Sequence, residues 1–304
     1  MATAHSRRAI PSITPSTASE IIQKNKHKTC FITGAGVSTE SGLPDYRGPA
    51  GRYLQTDSKP MTHQEFMGDD FNRKRYWSRA VVGFKSFNTA KPNRSHFVIA
   101  ELGRSRFLTG LITQNVDRLH HRAGSHKVIE LHGRGDMVEC MTCGHQKPRE
   151  EYHKELIEEN QRWMKSIENK SYTLTADGDA VIDESDVHSF CVLNCDVCSV
   201  GILKPSFVFF GGIVPPDVSE SALDLVTNCN ALFLIGSTAS TFSCYRLIKA
   251  ARDQGAYVSI INKGPTRVDD LAHSVFDTDS CGEFLEQVAR QLLPNEYGKA
   301  SELD

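Results

Sequence analysis

The sequence predicts an α/β fold: an open sheet of parallel strands making a large lobe, with a smaller lobe nested inside it. Three observations carry that expectation. Short apolar runs rich in Ile, Val and Phe recur along the chain, a polar or glycine-rich cluster follows each run directly, and helical segments lie between them. Apolar runs of strand length without polar alternation suit strands buried on both faces, the condition of a parallel sheet covered by helices. The composition permits such a core. A chain of 304 residues suffices for roughly two domains, and 39% hydrophobic with 24% charged residues is ordinary for a globular protein, which excludes a wholly disordered or collagenous chain. A net charge of -2 provides no global basic field for nucleic acid, and no run reaches the ~18 apolar residues of a membrane span.

Taken in order, the first nineteen residues carry Arg7, Arg8 and seven Ser/Thr but no acid before Glu20, the composition of an organellar transit peptide. If folding starts at Ile10, residues 1–9 remain as a presequence. Ser19 is expected to cap a short helix through Ile22. Strands are then expected at Thr29–Thr33 before Gly34-Ala35-Gly36, at Leu108–Thr113 before Gln114-Asn115-Val116-Asp117, and at Phe207–Phe210 before Gly211-Gly212. Two more follow, Ala231–Ile235 before Gly236-Ser237-Thr238 and Tyr257–Ile261 before Asn262-Lys263-Gly264. Ser280 or Gly282 opens a last helix with Phe284, Leu285, Val288 and Leu292 at helical spacing, stopped by Pro294. Because ligands of open α/β sheets sit outside the carboxyl ends of the strands, these clusters predict one crevice.

Two stretches fall outside the sheet pattern: residues 49–96, helical and rich in aromatics, and residues 134–204, which hold two Cys-x-x-Cys pairs and the charged segment Arg149–Glu168. As insertions between strands they would form the small lobe. The large lobe would keep residues 10–48, 97–133 and 205–299 of a single catalytic unit, 10–299.

Nine cysteines, an odd number, fit free thiols plus a metal site in a reducing compartment better than a fully paired disulfide set. Cys140-Met141-Thr142-Cys143 and Cys195-Asp196-Val197-Cys198 each place two thiolates on a tight knuckle, and four sulfurs are what one structural zinc prefers. The 51 residues between the knuckles exceed the ~15 to 20 of an ordinary zinc ribbon, so the module carries its own excursion. Cys191 competes as a ligand only through a poorer, longer knuckle. Gly34-Ala35-Gly36 after a strand satisfies the first half of a dinucleotide fingerprint; the second half fails, since Thr39 stands where the third glycine belongs. The following loop combines Asp45, Tyr46 and Arg47 between Pro44 and Gly48, giving a charge, a stacking face and a phosphate partner that can close over a ligand.

That loop, Thr113-Gln114-Asn115-Val116-Asp117-Arg118-Leu119-His120 and Glu130-Leu131-His132-Gly133 together resemble the sirtuin family of NAD-consuming protein deacylases. The resemblance runs from about Ile10 to Leu293, with the two cysteine pairs, Val208-Phe209-Phe210-Gly211, Gly236-Ser237 and Ile261-Asn262 in the same order. Arg75-Tyr76-Trp77, Ala176-Asp177-Gly178-Asp179, Gly264-Pro265-Thr266-Arg267 and Asp269-Asp270-Leu271-Ala272 are similar to the class II branch, which holds mitochondrial lipoamidases and ADP-ribosyltransferases.

The resemblance implies a Rossmann-like large lobe, NAD as cosubstrate, one structural zinc, and acyl-lysine side chains of proteins as substrates, with no specific nucleic acid and no membrane as partner. The acyl group passes to ADP-ribose as nicotinamide leaves. His132 becomes the general base, in keeping with an imidazole that can accept a hydroxyl proton near neutral pH. Asn115 and Asp117 alternate along an extended segment and so turn to one side; the resemblance gives them the ribose, or a water near it, and the nicotinamide amide. Gly34, Ala35, Gly36, Val37, Ser38, Asp45, Tyr46, Arg47, Gln114 and Val116 join them around the cosubstrate, with Gly236, Ser237 and Thr238 at phosphate or ribose, Asn262, Lys263 and Gly264 at the adenosine ribose, and Cys281 presenting its backbone to adenine.

Val208, Phe209, Phe210 and Gly211 would offer an edge on which the substrate backbone adds as a strand. Tyr76 and Arg79, at i and i+3, share a helical face and resemble a Tyr-x-x-Arg pair that holds acidic acyl groups; the alternative is a solvated face beside Arg73, Lys74 and Arg75. Gly212 stands where the family usually has an acid, and Thr238-Ala239 replaces a commoner Ser and larger apolar residue. Mono-ADP-ribosyl transfer is the alternative reaction and a non-catalytic zinc-stabilised scaffold the remote one. The mitochondrial matrix is the expected location, the cytoplasm the alternative.

Overall fold

A computed structural model describes residues 10–46, 60–168, 170, 172 and 182–295. The presequence residues 1–9, Arg47 and the segment Ala176-Asp177-Gly178-Asp179 lie outside the described residues. Nine strands are found among those described: β1 (Thr29–Thr33), β2 (Leu108–Thr113), β3 (Val128–Glu130), β4 (Gly133–Cys140), β5 (Gln146–Pro148), β6 (Leu203–Phe207), β7 (Ala231–Ile235), β8 (Tyr257–Ile261) and β9 (Ser274–Phe276). Six of them form one sheet in the order β3-β2-β1-β7-β8-β9, every pair parallel. The apolar runs are buried on both faces as expected. Phe31, Phe233 and Ile235 point into one core with the helices α1 (Pro15–Lys24), α4 (Arg94–Arg104) and α11 (Cys281–Leu292). Cys30, Ile32, Leu232 and Leu234, one residue out of step, point into a second core with α9 (Pro216–Thr227) and α10 (Phe242–Asp253).

The remaining strands form an antiparallel sheet, β5-β4-β6. A third core lies between this sheet and the helices α2 (His63–Gly68), α3 (Asp70–Thr89), α6 (Arg149–Glu159), α7 (Gln161–Ile167) and α8 (Glu184–Val187). It is aromatic: Phe66, Tyr76, Trp77, Tyr152, Trp163, Phe190 and Phe209 are all buried in it. The Trp77 indole donates to the Leu203 carbonyl at 3.2 Å, fixing α3 to β6. Residues 63–89 and residues 134–207 thus share a core although about forty-five residues of the parallel sheet separate them in sequence.

Two expectations are corrected. The run Phe207–Phe210 is not a strand of the parallel sheet; it begins as the last residue of β6, opposite Gly133 of β4. An apolar run shows burial but not its partner, and here the second cysteine knuckle delivers the chain straight back along β4. Ser19 does not cap the first helix: Thr14 does, its hydroxyl accepting from the Thr17 amide ahead of Pro15 at the first helical position, while the buried Ser19 hydroxyl bonds the Pro15 carbonyl. The edge strands β3 and β9, three residues each, are too short to leave a pattern. The last helix starts as expected, with the Ser280 hydroxyl accepting from the Glu283 amide.

The loop after β1 and the loop after β7 touch backbone to backbone, the Gly36 amide donating to the Gly236 carbonyl at 2.9 Å. A Cβ on Gly36 would stand 2.8 Å from the Gly236 Cα and 2.9 Å from its carbonyl oxygen, too close for either chain to keep its place. Gly36→Ala is therefore expected to lower stability by about 1–3 kcal/mol and to weaken NAD binding, read by urea unfolding and calorimetric titration. An unchanged unfolding midpoint would show that the two loops part without cost.

Candidate active site

The carboxyl ends of β1, β2, β7 and β8 open into one cavity of about 1860 Å³, which reaches across to α3 and the segment after β6. Its wall holds Gly34, Ala35, Gly36, Ser38, Asp45, Tyr46, Gln114, Asn115, Val116, Asp117 and His132 on one side and Gly236, Ser237, Thr238, Asn262, Lys263, Gly264 and Cys281 on another. Tyr76, Arg79, Val208, Phe209, Phe210 and Gly211 line it as well. Of the residues named from the sequence, Arg47 is outside the described residues, and Val37 is not on the wall. The 3-10 turn Ala35–Val37 carries the Val37 side chain into the core beside Phe31, and its amide donates to the Gly34 carbonyl.

Ser38 organises the wall nearest β2. Its hydroxyl donates to Asp117 Oδ2 at 2.7 Å and accepts from Asn115 Nδ2 at 3.1 Å; that same amide donates to the Gly34 carbonyl at 3.0 Å. Asn115 and Asp117 thus turn to one side, and both reach Ser38. Asp117 Oδ1 also accepts from the Leu119 amide at 2.9 Å. Burial pushes the Asp117 carboxyl pKa up, and the Leu119 and Ser38 hydrogen bonds oppose it.

His132 follows β3 and precedes β4, at the place where the two sheets meet. Its Nδ1 lies 3.1 Å from the Gln114 carbonyl, which can only accept, so Nδ1 carries the proton and Nε2 keeps the lone pair. Nε2 lies 2.9 Å from the Ser243 hydroxyl. Burial lowers the imidazole to about 4, against the opposing effect of the Gln114 bond, so the ring is neutral at physiological pH. Gln114 in turn donates its side-chain amide to Ser237 Oγ at 2.8 Å and its backbone amide to the Thr33 carbonyl at 2.9 Å.

Sequence reasoning missed two buried histidines behind this wall and the serine at His132. His96 Nε2 lies 3.4 Å from Ser38 Oγ, and His120 Nε2 lies 3.0 Å from Thr33 Oγ1. Burial holds His96 down to about 3 and His120 well below its usual range. His96 sits at the third position of α4 and completes a capping box with Asn93, a place where Glu or Gln is the usual signal. Ser243 lies 111 residues from His132, and no local pattern links them.

On the opposite side the Val208 amide donates to the His132 carbonyl at 2.9 Å, and β6 is an edge strand of its sheet. Tyr76 is not on a solvated face: its ring packs at 5.1–5.5 Å against Trp77, Phe209 and Phe66. Lower down, Cys140, Cys143, Cys195 and Cys198 bring their sulfurs within 4.8 Å of one another, with Cys140–Cys198 at 3.7 Å and Cys143–Cys195 at 3.8 Å. Zinc–sulfur bonds of ~2.3 Å at tetrahedral angles require edges of ~3.8 Å, so the donor set fits zinc. Amides of Thr142 and Cys143 point at Cys140 Sγ. Gly201 completes the cradle, since a Cβ there would stand 2.1 Å from Cys140 Sγ. Cys191 is exposed and outside the cluster.

A model of the Sir2 family matches residues 34–243 of the chain. An NAD-dependent protein deacetylase of Bradyrhizobium diazoefficiens is 41% identical over 247 residues, 81% of this chain and 88% of that protein. The mitochondrial NAD-dependent protein lipoamidase sirtuin-4 of Homo sapiens is 40% identical over 255 residues, 84% of this chain and 79% of its own length. A solved Sir2 in complex with a peptide and NAD superposes with a TM-score of 0.70 at 27% identity, covering 92% of this chain and 98% of the other; a Sir2 bound to a propionylated peptide does so at 0.68 with the same coverage.

Two predictions follow from the geometry. Cys143→Ser is expected to lose the zinc and to lower the melting temperature, whereas Cys191→Ser keeps one metal per chain; metal analysis and calorimetry read both, and zinc retained in the Cys143 variant would refute the ligand set. The second concerns acid. His96, His132 and His153 fold with pKa values of about 3, 4 and 4, below the ~6.5 of an unfolded chain. The unfolded state then binds more protons between these values, so stability is full above pH 6.5 and falls as pH drops toward 4. Melting temperatures should hold from pH 7.5 to about 6.5 and decline from there to pH 5, and a profile flat down to pH 5 would contradict the neutral rings.

Proposed function

The chain belongs to the Sir2 family, and from that membership we propose that it removes acyl groups from protein lysines at the expense of NAD, releasing nicotinamide and passing the acyl group to ADP-ribose. The observation that carries the reading is His132: a neutral imidazole whose Nδ1–H is held by the Gln114 carbonyl and whose Nε2 lone pair is turned to a cavity with Ser38, Asn115 and Asp117 beside it. NAD, when bound, supplies an electrophilic ribose carbon once nicotinamide departs. His132 takes the proton of a ribose hydroxyl on Nε2. Asn115 and Asp117 orient the nicotinamide ribose and amide, and the backbone around Gly34, Ala35 and Gly36 accommodates phosphate near Ser237 and Thr238. Asn262, Lys263, Gly264 and Cys281 take the adenosine end. The substrate backbone adds along Val208, Phe209, Phe210 and Gly211, which brings its acyl-lysine in beside His132.

Tyr76 and Arg79 stand on the same wall as Phe209, and they supply a hydroxyl and a guanidinium to the far end of the acyl group. Acyl groups ending in a carboxylate are thereby substrates alongside neutral ones such as acetyl and lipoyl. Gly212 in the usual place of an acid relaxes any preference for basic residues in the peptide. Mono-ADP-ribosyl transfer is the competing reading. It breaks the same bond and differs only in the acceptor, and Phe210 on the cavity wall is 41% exposed, so the cavity is reachable from outside. A mitochondrial location belongs to the proposal as well, on the basic, hydroxyl-rich and acid-free first nineteen residues; imaging the full chain with a tag at Asp304 tests it.

The deciding experiment incubates the protein with NAD and a panel of acyl-lysine peptides and follows products by mass spectrometry. Free lysine with O-acyl-ADP-ribose is expected, and His132→Ala should lower kcat by about 10²–10⁴-fold. Labelled ADP-ribose on protein with no deacylation would overturn the proposal in favour of transfer. Arg79→Met should lose at least about tenfold in kcat/KM on carboxylate-bearing acyl groups relative to acetyl, the cost of one charge-assisted hydrogen bond; equal losses on both would remove Arg79 from acyl recognition.

A further inference from the structure

The lone pair of the base is already engaged. With its proton on Nδ1, His132 has one acceptor site in the ring plane, and the Ser243 hydroxyl stands 2.9 Å from it. Ser243 is the second residue of α10, whose cap is Thr241. Thr241 Oγ1 lies 3.4 Å from Gln114 Oε1, to which it donates, and 3.3 Å from Ser243 Oγ. Gln114 closes the circuit, because its backbone carbonyl holds His132 Nδ1. His132, Ser243, Thr241 and Gln114, from three parts of the chain, thus stand within hydrogen-bonding reach of one another in turn. The single hydrogen of Ser243 has two acceptors in reach, and the shorter contact is to His132.

We propose that Ser243 is a positioning residue for the base: its hydroxyl caps the His132 Nε2 lone pair, keeps the ring neutral and aimed into the cavity, and turns to Thr241 Oγ1 when a ribose hydroxyl takes its place. No proton changes owner in that exchange. One hydrogen bond to Nε2 is replaced by another, and the Ser243 hydrogen is not orphaned, so uncovering the base costs little. The inference rests on the reading of His132 as general base. It also gives the hydroxyl a defined electrostatic effect, since an O–H donor stabilises the neutral ring alone. Of the charged groups on the elements that meet here, Asp117 after β2 and Arg246 in α10 line the cavity with His132, whereas Glu130 in β3 pairs with Arg118 and Arg134 in β4 pairs with Asp136; burial lowers the His132 ring and the Gln114 carbonyl opposes it.

The test compares Ser243→Ala and Ser243→Thr with the parent in two measurements: the His132 ring titration by NMR, and the pH profile of kcat/KM for NAD, which reports the free enzyme. In Ser243→Ala the ring titrates higher, toward the ordinary range, and kcat/KM falls about tenfold more at pH 5 than at pH 8. Ser243→Thr, which keeps a hydroxyl, restores both. A parental titration in the alanine variant overturns the proposal, and so does an equal loss at every pH, which is the mark of a structural role. Circular dichroism at pH 5 excludes unfolding as the source. His132→Ala separates the two levels: full activity in that variant defeats the base reading itself, whereas an inactive His132 variant beside a pH-indifferent Ser243→Ala defeats only the role of Ser243.

Discussion

Gln114 is the residue through which the site holds together. Its backbone amide is bonded to the end of β1, its backbone carbonyl fixes the proton of His132, and its side chain reaches Ser237 after β7. A backbone carbonyl at the end of a strand buried on both faces cannot move without breaking the sheet register, so the tautomer of His132 is set by the sheet itself. Parallel pairing then does the rest. Because β1, β2, β7 and β8 all point the same way, their loops emerge at one edge, and residues more than two hundred positions apart line the same cavity.

His132 owes its place to the junction of two sheets. β3 is an edge of the parallel sheet, β4 begins the antiparallel one after only Leu131 and His132, and the Val208 amide returns from β6 to bond the His132 carbonyl. The cysteine module is tied to His132 through that connection. Cysteine knuckles at the far ends of β4 and β6 hold the pair in register, and their near ends carry His132 and the segment 208–211. A metal with four sulfur ligands has no open position, yet its loss would loosen the strand on which the substrate is proposed to lie.

The wall behind the site is buried and built around neutral histidines. His96 and His120 are buried as neutral rings, and the polar atoms of Ser38, Thr33 and Thr113 close around them. Each of these groups prefers its neutral form in a low-dielectric interior, which is why acid is expected to unfold the chain before it damages any single contact. The burial that makes these histidines a liability at low pH also keeps the His132 ring neutral at physiological pH.

Much of this was legible in the residues. Strand-length apolar runs with glycine or polar ends identified four of the six parallel strands and the edge on which ligands gather, because burial on both faces leaves an unbroken apolar signature. The Cys-x-x-Cys pairs carried their metal for a similar reason: tetrahedral thiolate chemistry is local within each knuckle. The sequence was silent wherever the deciding contact was distant or too short to repeat. Phe207–Phe210 reads as a buried strand in either sheet, and only its pairing with β4 assigns it. Val37 looks like part of a nucleotide loop until the turn rotates it into the core. His96, His120 and Ser243 are ordinary residues in ordinary helices, whose meaning arises from partners 58, 87 and 111 positions away. Composition and pattern record what each segment must bury, whereas which polar group meets which across the cavity is settled by how the sheets are stacked, and that is a property of the folded chain alone.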